Sequence, residues 1–501
     1  MSTLAAVATL RATETGRAER LTTVRHDHLD DRPFVLVPLT LAGEACAPLA
    51  ALAGTDPDHP VLLTVRQPRN RAERFAFVQR LATLMLPYIE ECRTAETETY
   101  TVGRGPDKEE RLRSLRAPQI LVPNGEGIAY LRLLGRLTRL RAVEGPYAVD
   151  PSVPLLGKWL TWVADRAEFP GSGLLQAVTR LLAAHWATGQ SAAEDSHLAS
   201  LLAWIDPPDG RTGAEAAREA EDPLLYPPAG PATDVVFDRT LDELMARYDE
   251  AGDDRGREAA GRQIDRELRG QMLPTWELVW RGVQLLRGLP AGGHVSERWA
   301  YDRRLFTEYA AYLDDDGRPQ ARRDHAVGAA RRLARMEEAM ARYDAQRAFD
   351  DPLVMAEYEL TGEAFTGVVV ARDEDRFQPG ARSPKWRPSI TVCSELPVRL
   401  RPGTEIKCPA RPGQKAEIVE VTPDGDGHTV LVQLNGGFNN KRKPPAPPGT
   451  LVEVGETVTY TSVDPKAMPS VLPAEEDTPW THGGPPEPYE PTVEDAEETW
   501  E

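Results

Sequence analysis

The chain has 501 residues, 41% of them hydrophobic, and its 78 acidic and 59 basic residues give a formal net charge of −19. At roughly 150 residues per domain, this length and apolar content suit roughly two to four domains with packed cores and exclude a wholly disordered chain. No stretch approaches the roughly 20 apolar residues of a membrane span, and the first residues lack a charged segment ahead of an apolar one, so we expect a soluble, cytoplasmic protein without a membrane partner.

The first 150 residues alternate strand and helix patterns. Short β-rich runs bounded by proline, glycine or aspartate occupy 33–39, 61–65, 99–102 and 120–122. Asn70 is predicted to cap a helix whose apolar residues from Phe75 to Met85 share one face, and a second helix is predicted at about 128–140. We therefore predict a mixed α/β unit over 1–150.

Helical periodicity dominates the middle of the chain. We predict a helical extension of the first unit over 151–205, a linker rich in proline and glycine over 206–234, and a helical bundle over 235–350. In the last helix, apolar residues recur at spacings of three and four, which predicts either a bundle seam or a short antiparallel coiled coil. These residues are Ala326, Ala329, Leu333, Met336, Met340 and Tyr343.

The pattern changes to period two near residue 352. Five strand candidates lie at 365–370, 389–393, 416–421, 429–434 and 457–460, and Asp424-Gly425-Asp426-Gly427 predicts a hairpin turn between the third and fourth. We predict a small β-barrel of OB or SH3-like size over 351–464 and a disordered acidic tail over 465–501. The fold class is thus multidomain α+β.

The sequence contains no complete catalytic or metal-binding motif. Gly125-Glu126-Gly127 follows a strand and opens a helix, but the lysine and hydroxyl residue of a phosphate-binding loop are missing. His26-Asp27-His28, with Asp30 and Asp31 close by, is interpreted as a solvated polar turn rather than a metal site. The four cysteines, Cys46, Cys92, Cys393 and Cys408, are too scattered for a zinc site or a disulfide framework. We therefore predict no catalytic residue, cofactor or metal, and favour a protein that is not an enzyme.

One compact segment has the opposite charge to the whole. Residues 376–443 carry a net charge of +6, against −13 for 1–375, −2 for 444–474 and −10 for 475–501. Two aromatic residues that we expect to be exposed, Trp386 and Phe438, lie among these charges. Small barrels that bind single-stranded nucleic acid combine a basic groove with aromatic stacking platforms in this way. The predicted nucleic-acid-binding residues are Lys385, Trp386, Arg387, Arg399, Arg401, Phe438, Lys441, Arg442 and Lys443. An equally weighted alternative is that these basic loops dock on the acidic helical body, with Trp386 as the anchor.

The acidic tail contains three aromatic residues, Trp480, Tyr489 and Trp500, which we predict to bind a protein partner. These features together predict a bacterial accessory or adaptor protein whose barrel contacts nucleic acid or a nucleic-acid-processing partner, while the tail recruits or autoinhibits. Two alternatives are an enzyme of unknown reaction with its site in the N-terminal α/β unit, near Gly125, and a pure protein-interaction scaffold. The sequence leaves the oligomeric state open.

Overall fold

The computed structural model describes residues 2–41, 44, 46–102, 108–227, 235–324, 326–378, 384–437 and 445–466. The described residues form two compact units. The sheet unit contains residues 5–21 and 25–339, and the barrel unit contains 2–4, 22–24 and 340–466. The finer division into six segments stays a prediction.

Twelve helices lie in the described parts of the chain. In chain order they are α1 (Thr3–Thr15), α2 (Arg71–Thr94), α3 (Gly125–Thr138), α4 (Ser152–Arg166), α5 (Val178–Ala183), α6 (Leu198–Ile205), α7 (Gly213–Ala220), α8 (Val235–Glu250), α9 (Asp254–Arg287), α10 (Val295–Asp314), α11 (Ala326–Asp350) and α12 (Pro352–Thr361). Each helix in these parts is too short or too polar to cross a lipid bilayer.

Among the residues that the structure describes, nine strands belong to the sheet unit and eight to the barrel unit. The first group is β1 (Glu19–Arg20), β2 (Phe34–Thr40), β3 (Pro48–Gly54), β4 (Val61–Thr64), β5 (Thr97–Val102), β6 (Glu109–Ser114), β7 (Ile120–Val122), β8 (Leu175–Ala177) and β9 (Trp186–Ala187). The second group is β10 (Ala364–Asp373), β11 (Phe377–Gln378), β12 (Lys385–Trp386), β13 (Ser389–Ser394), β14 (Glu405–Cys408), β15 (Arg411–Asp424), β16 (Gly427–Gly436) and β17 (Thr457–Thr461).

A mixed five-stranded sheet organises the sheet unit, in the order β4-β3-β2-β7-β8. β2, β7 and β8 run parallel, whereas β3 is antiparallel to both β2 and β4. All seven residues of β2 are buried. A strand that is apolar on both faces needs cover on both faces, and its sequence accordingly reads as a continuous hydrophobic run.

Helices cover the two faces of this sheet and form two separate cores. Phe34 and Leu36 of β2 point into the first core, which α2, α3, α4 and part of α10 complete. The alternate residues Val35 and Val37 point into the second core, with apolar residues of α5, α6, α8 and α9. The helices α8 and α9, which the sequence assigns to a bundle, therefore share their core with the sheet. The predicted linker segment 206–234 contains the helix α7.

Two glycines allow α3 and α4 to pack closely in the first core. A Cβ atom at Gly157 would lie 2.4 Å from the backbone nitrogen of Arg139, and one at Gly135 would lie 2.7 Å from that of Thr161. Real Cβ atoms do not approach backbone this closely. The helices therefore touch through their backbones at this crossing, where any larger residue overpacks the core.

The barrel unit contains a closed, antiparallel, six-stranded barrel in the order β10-β13-β16-β15-β14-β17. This confirms the predicted C-terminal β-barrel, including the five predicted strands and the hairpin turn, where Asp424 pairs with Gly427. The sixth strand, β14, was not predicted. Buried side chains such as Ile390, Val432 and Tyr460 fill the interior. The predicted tail lies outside the described residues from 467 onward.

A buried carboxylate ties the chain's N-terminal region into the barrel unit. Asp351, which is 1% exposed, caps α12 by accepting a hydrogen bond from the backbone nitrogen of Leu353 at 2.9 Å. Its other oxygen accepts from the backbone nitrogens of Thr23, at 2.6 Å, and Val24, at 3.3 Å. The carboxylate thereby satisfies donors from two distant parts of the sequence.

Candidate functional site

The predicted basic residues fall into two groups along the barrel. Lys385 and Arg387 lie on and directly after β12, at the amino end of β13, and Lys415 lies nearby because it pairs with Gly436 at the adjoining end of β16. We call Lys385, Arg387 and Lys415 the basic rim. Arg399 and Arg401 follow the carboxyl end of β13, which is six residues long and therefore spans about 20 Å. The structure does not bring the two groups together.

Trp386 is buried, so the expectation of an exposed aromatic residue is wrong. Its side chain is 3% exposed and packs in the barrel core, and its indole nitrogen donates to the carbonyl oxygen of Glu374 at 2.5 Å. Because Trp386 pairs with Phe377 across the β11–β12 hairpin, its ring anchors that hairpin to the barrel itself. The docking interpretation assigned this anchor to the helical body instead. Base stacking on Trp386 would require the hairpin to open.

Ion pairs divide the basic side chains of the barrel into two classes. Arg411 contacts both carboxylate oxygens of Glu456, at 2.7 and 2.9 Å, and these hydrogen bonds lower the pKa of Glu456. Arg372 and Lys407 are also paired, with Glu453 at 2.7 Å and Asp464 at 3.4 Å respectively. In contrast, Lys385, Arg387, Lys415, Arg399 and Arg401 form no ion pair with any described residue. All four predicted basic residues that the structure describes, Lys385, Arg387, Arg399 and Arg401, belong to the unpaired class.

The remaining predicted residues lie outside the described parts of the chain. Phe438, Lys441, Arg442 and Lys443 follow β16 in the sequence, and the predicted partner-binding residues Trp480, Tyr489 and Trp500 lie in the acidic tail. Their roles stay predictions.

A buried polar network, which the sequence did not predict, lies in the sheet unit where β2, β7 and β8 begin. Gln119 is 0% exposed and accepts a hydrogen bond from the backbone nitrogen of Asp30 at 2.8 Å. Its amide nitrogen donates to the carbonyl oxygens of His28, at 2.9 Å, and Gly173, at 3.0 Å. One side chain thus joins the three segments that enter the parallel strands. No local pattern around residue 119 signals this, since its three partners are distant in sequence.

Asp302 of α10 supplies a carboxylate next to this network. It is 1% exposed and accepts hydrogen bonds from the backbone nitrogen of Gly173, at 2.7 Å, and from the Ser172 hydroxyl, at 3.2 Å. The guanidinium of Arg166 lies 3.7 Å from the carboxylate. Burial raises the pKa of Asp302 to about 6, although all three neighbours favour the ionised form.

His26 and Asp27 are buried, His28 and Asp30 are half-buried and only Asp31 is exposed, so the interpretation of this cluster as a solvated turn is wrong. His26 is 1% exposed, and its backbone nitrogen donates to Nε2 of His185 at 3.1 Å. The His28 ring stacks on Trp299 with 3.8 Å between centroids, and burial lowers the pKa of His28. Among the described residues, no three or more His, Cys, Asp or Glu side chains are placed to hold a metal ion.

The position of this network favours a structural role. Ligands of open sheets with parallel strands bind beyond the carboxyl ends of the strands, whereas these residues lie at the amino ends. The network satisfies the backbone groups of three entering segments, which is what buried polar side chains commonly do.

Neighbouring side chains fill the space next to the turn at Gly125, which lies at the carboxyl end of β7. Asn124 caps α3 by accepting from the backbone nitrogen of Gly127 at 3.2 Å. A Cβ atom at Gly125 would lie 2.7 Å from Nη2 of Arg180, and one at Gly127 would lie 2.8 Å from the Val122 side chain. The glycines thus serve helix capping and close packing.

A cleft of about 480 Å³ lies in another part of the sheet unit, lined by Glu219, Leu225, Tyr226, Pro274, Glu277, Leu278 and Arg281. The Arg281 guanidinium is already paired with Asp206 at 2.7 Å. The lining residues include no histidine, cysteine or serine, so the cleft assembles no pair of nucleophile and base.

In comparisons with known proteins, no family model, curated protein or solved structure matches this chain.

Proposed function

We propose that this protein is a bacterial, cytoplasmic accessory or adaptor protein whose barrel contacts nucleic acid, or a partner that processes nucleic acid, through the basic rim. The observation that carries the proposal is that Lys385 and Lys415 are exposed and lack an ion pair with any described residue. Arg372, Lys407 and Arg411 of the same barrel are, in contrast, neutralised by carboxylates. Unpaired cations at one end of a barrel are available to phosphate groups.

The burial of Trp386 changes the kind of contact that we propose. With the ring inside the barrel, the rim offers charge without an aromatic platform at this residue. Contacts would then be made to phosphates, which position a nucleic acid and carry no sequence information. We therefore propose binding with little sequence preference, by a barrel of OB or SH3-like size.

The acidic tail is assigned a regulatory role in this proposal. Its net charge of −10 opposes the +6 of residues 376–443. A tail of that charge either recruits a protein partner through Trp480, Tyr489 and Trp500 or competes with nucleic acid for basic side chains.

The test is the salt dependence of binding to short, fluorescently labelled single- and double-stranded oligonucleotides, measured by anisotropy with the full chain. About three phosphate contacts on double-stranded DNA predict a slope of about −2.7 in log K against log salt concentration, so that raising salt from about 50 to about 200 mM weakens binding by a factor of about 40. Replacing Lys385 and Lys415 by glutamate should abolish this binding.

The matched control reverses the same number of charges elsewhere. Arg255 and Arg257 are exposed in the first turn of α9, so the variant Arg255→Glu/Arg257→Glu changes the net charge equally and leaves the rim intact. Absence of binding at about 50 mM salt, or equal loss in both variants, would contradict the rim proposal. If removal of residues 475–501 then loses a protein partner from a pull-down without nucleic acid, the scaffold alternative is supported instead.

A further inference from the structure

The helix α11 turns a charged residue inward and apolar residues outward. Arg332 contacts Asp165 at 3.4 Å and Asp324 at 3.5 Å, and it also contacts Glu168. Leu333, the next residue, is 57% exposed, and Met340 is 48% exposed. A surface helix of a globular protein normally buries its apolar stripe and exposes its charges. On α11, Ala326, Ala329, Leu333 and Met340 are exposed, whereas Met336 and Tyr343 are half-buried.

The apolar residues of α11 follow the spacing of a coiled-coil seam. We call Ala326, Ala329, Leu333, Met336, Met340 and Tyr343 the α11 seam. Their separations alternate between three and four residues, which is a period of 3.5. A helix keeps that period when it supercoils with a second helix of the same repeat. The seam therefore indicates a helical partner.

The size of the seam residues favours an antiparallel copy of the same helix. If Leu333 is level with Met336 of a second copy, Ala329 is level with Met340 and Ala326 with Tyr343. Each small residue then faces a large one, as dense packing requires. A parallel pair would place alanine against alanine at one end and leave a void.

The charges on α11 favour the same arrangement. Apart from Arg332, which faces inward, the half from 326 to 335 carries two arginines, Arg331 and Arg335, and no acidic residue. The half from 336 to 344 carries three acidic residues and one arginine. Antiparallel pairing opposes halves of unlike sign, whereas parallel pairing opposes like with like.

We propose that the α11 seam is covered by α11 of a second copy of this chain, in an antiparallel pair related by a two-fold axis. Such an interface is self-complementary, as closed dimers require. The seam from Ala326 to Tyr343 is about 26 Å long at about 1.5 Å per residue. An interface of that length is small, so the dimer should dissociate on dilution.

The first experiment is sedimentation velocity of the full chain from about 1 to about 100 µM, a range in which a small interface dissociates. The expected mass rises with concentration from 55.2 kDa toward twice that value. The variant Leu333→Arg should remain monomeric throughout. The control is Leu112→Arg, because Leu112 is 63% exposed on β6, away from α11. Circular dichroism checks that both variants are folded. We expect them to fold because both substituted side chains are exposed.

A second experiment tests the direction of the helices. In a Cys393→Ser background, Leu333→Cys and Met336→Cys proteins are mixed and oxidised, since the other native cysteines, Cys46, Cys92 and Cys408, are buried. The antiparallel pair predicts a disulfide mainly between 333 and 336 of different copies. A predominant link between two residues 333 would overturn the antiparallel arrangement. A monomer at all concentrations, or a dimer unchanged by Leu333→Arg, would overturn the proposal.

Discussion

The buried carboxylate of Asp302 should make the stability of the sheet unit depend on pH. Burial raises its pKa from the ordinary 3.8 to about 6 in the folded protein. One pH unit corresponds to about 1.4 kcal/mol, so the difference amounts to about 3 kcal/mol. Below about pH 4 the group is neutral in both the folded and the unfolded chain. Between about pH 4 and pH 6 only the unfolded chain ionises, and the free energy of unfolding therefore falls as pH rises.

The variant Asp302→Asn should remove this dependence while keeping the local hydrogen bonds. The asparagine oxygen accepts from the Gly173 nitrogen, and its amide donates to the Ser172 hydroxyl, which both accepts and donates. The asparagine does not titrate, so this position contributes no pH dependence to the stability of the variant. The quantity to follow is therefore the change with pH in the stability difference between the wild type and the variant, not the constant part of that difference.

The assay is urea unfolding of both proteins from pH 4 to pH 7, followed by far-ultraviolet circular dichroism. The stability of the wild type relative to Asp302→Asn should fall by about 3 kcal/mol over this range. An exposed aspartate on α8 supplies the control, since Asp242→Asn should change the pH profile little. A constant difference between the wild type and Asp302→Asn would refute the reasoning.

Two further predictions concern packing, and thermal unfolding measures both. Trp386→Ala should destabilise the barrel unit by about 3 to 5 kcal/mol, because it removes a buried ring and its hydrogen bond. The control is Phe377→Ala in the same hairpin, which should cost less than about 1 kcal/mol because the Phe377 side chain is 48% exposed. Equal losses of stability in the two variants would contradict the anchoring role of Trp386. Gly157→Ala should destabilise the sheet unit by about 1 to 3 kcal/mol despite the better helix propensity of alanine, because its Cβ meets backbone at 2.4 Å. The control is Gly125→Ala, which should be tolerated because its Cβ meets only the movable end of the Arg180 side chain. A Gly157→Ala protein as stable as the wild type would contradict the prediction, because it would show that α3 and α4 can separate at little cost.

Elements whose sequence carries a local signal were predicted well. Asn70 caps α2 as expected, accepting from the backbone nitrogens of Ala72 and Glu73, and β2 and β7 occupy the predicted hydrophobic runs. In the barrel, alternating apolar residues and the Asp-Gly turn predicted five strands, which the structure contains. β3 was missed because its sequence, Pro-Leu-Ala-Ala-Leu-Ala-Gly, lacks the β-branched and aromatic residues that mark strands.

The sites were predicted less well, because burial depends on contacts distant in sequence. Flanking charges suggested that Trp386 is exposed, yet alternation along a strand places the middle residue of Lys385-Trp386-Arg387 opposite to both neighbours. This alternation is the sequence signal that predicts the burial of Trp386. The burial of His26 and the role of Gln119 depend on partners such as His185 and Gly173, which no local pattern reveals. Paired and unpaired cations likewise become distinguishable only when carboxylates from other strands, such as Glu456, are placed beside them.

The bond from Thr23 to Asp351 has a consequence for how this barrel is inherited. The two residues are 328 positions apart, and both backbone donors of the pair Thr23 and Val24 use the same carboxylate oxygen. A gene fragment that begins at Met340 would leave the buried carboxylate of Asp351 short of two partners and would lose part of the unit's own chain. A barrel that recombination transplants without the chain's first 24 residues should therefore be less stable than the barrel of the full chain.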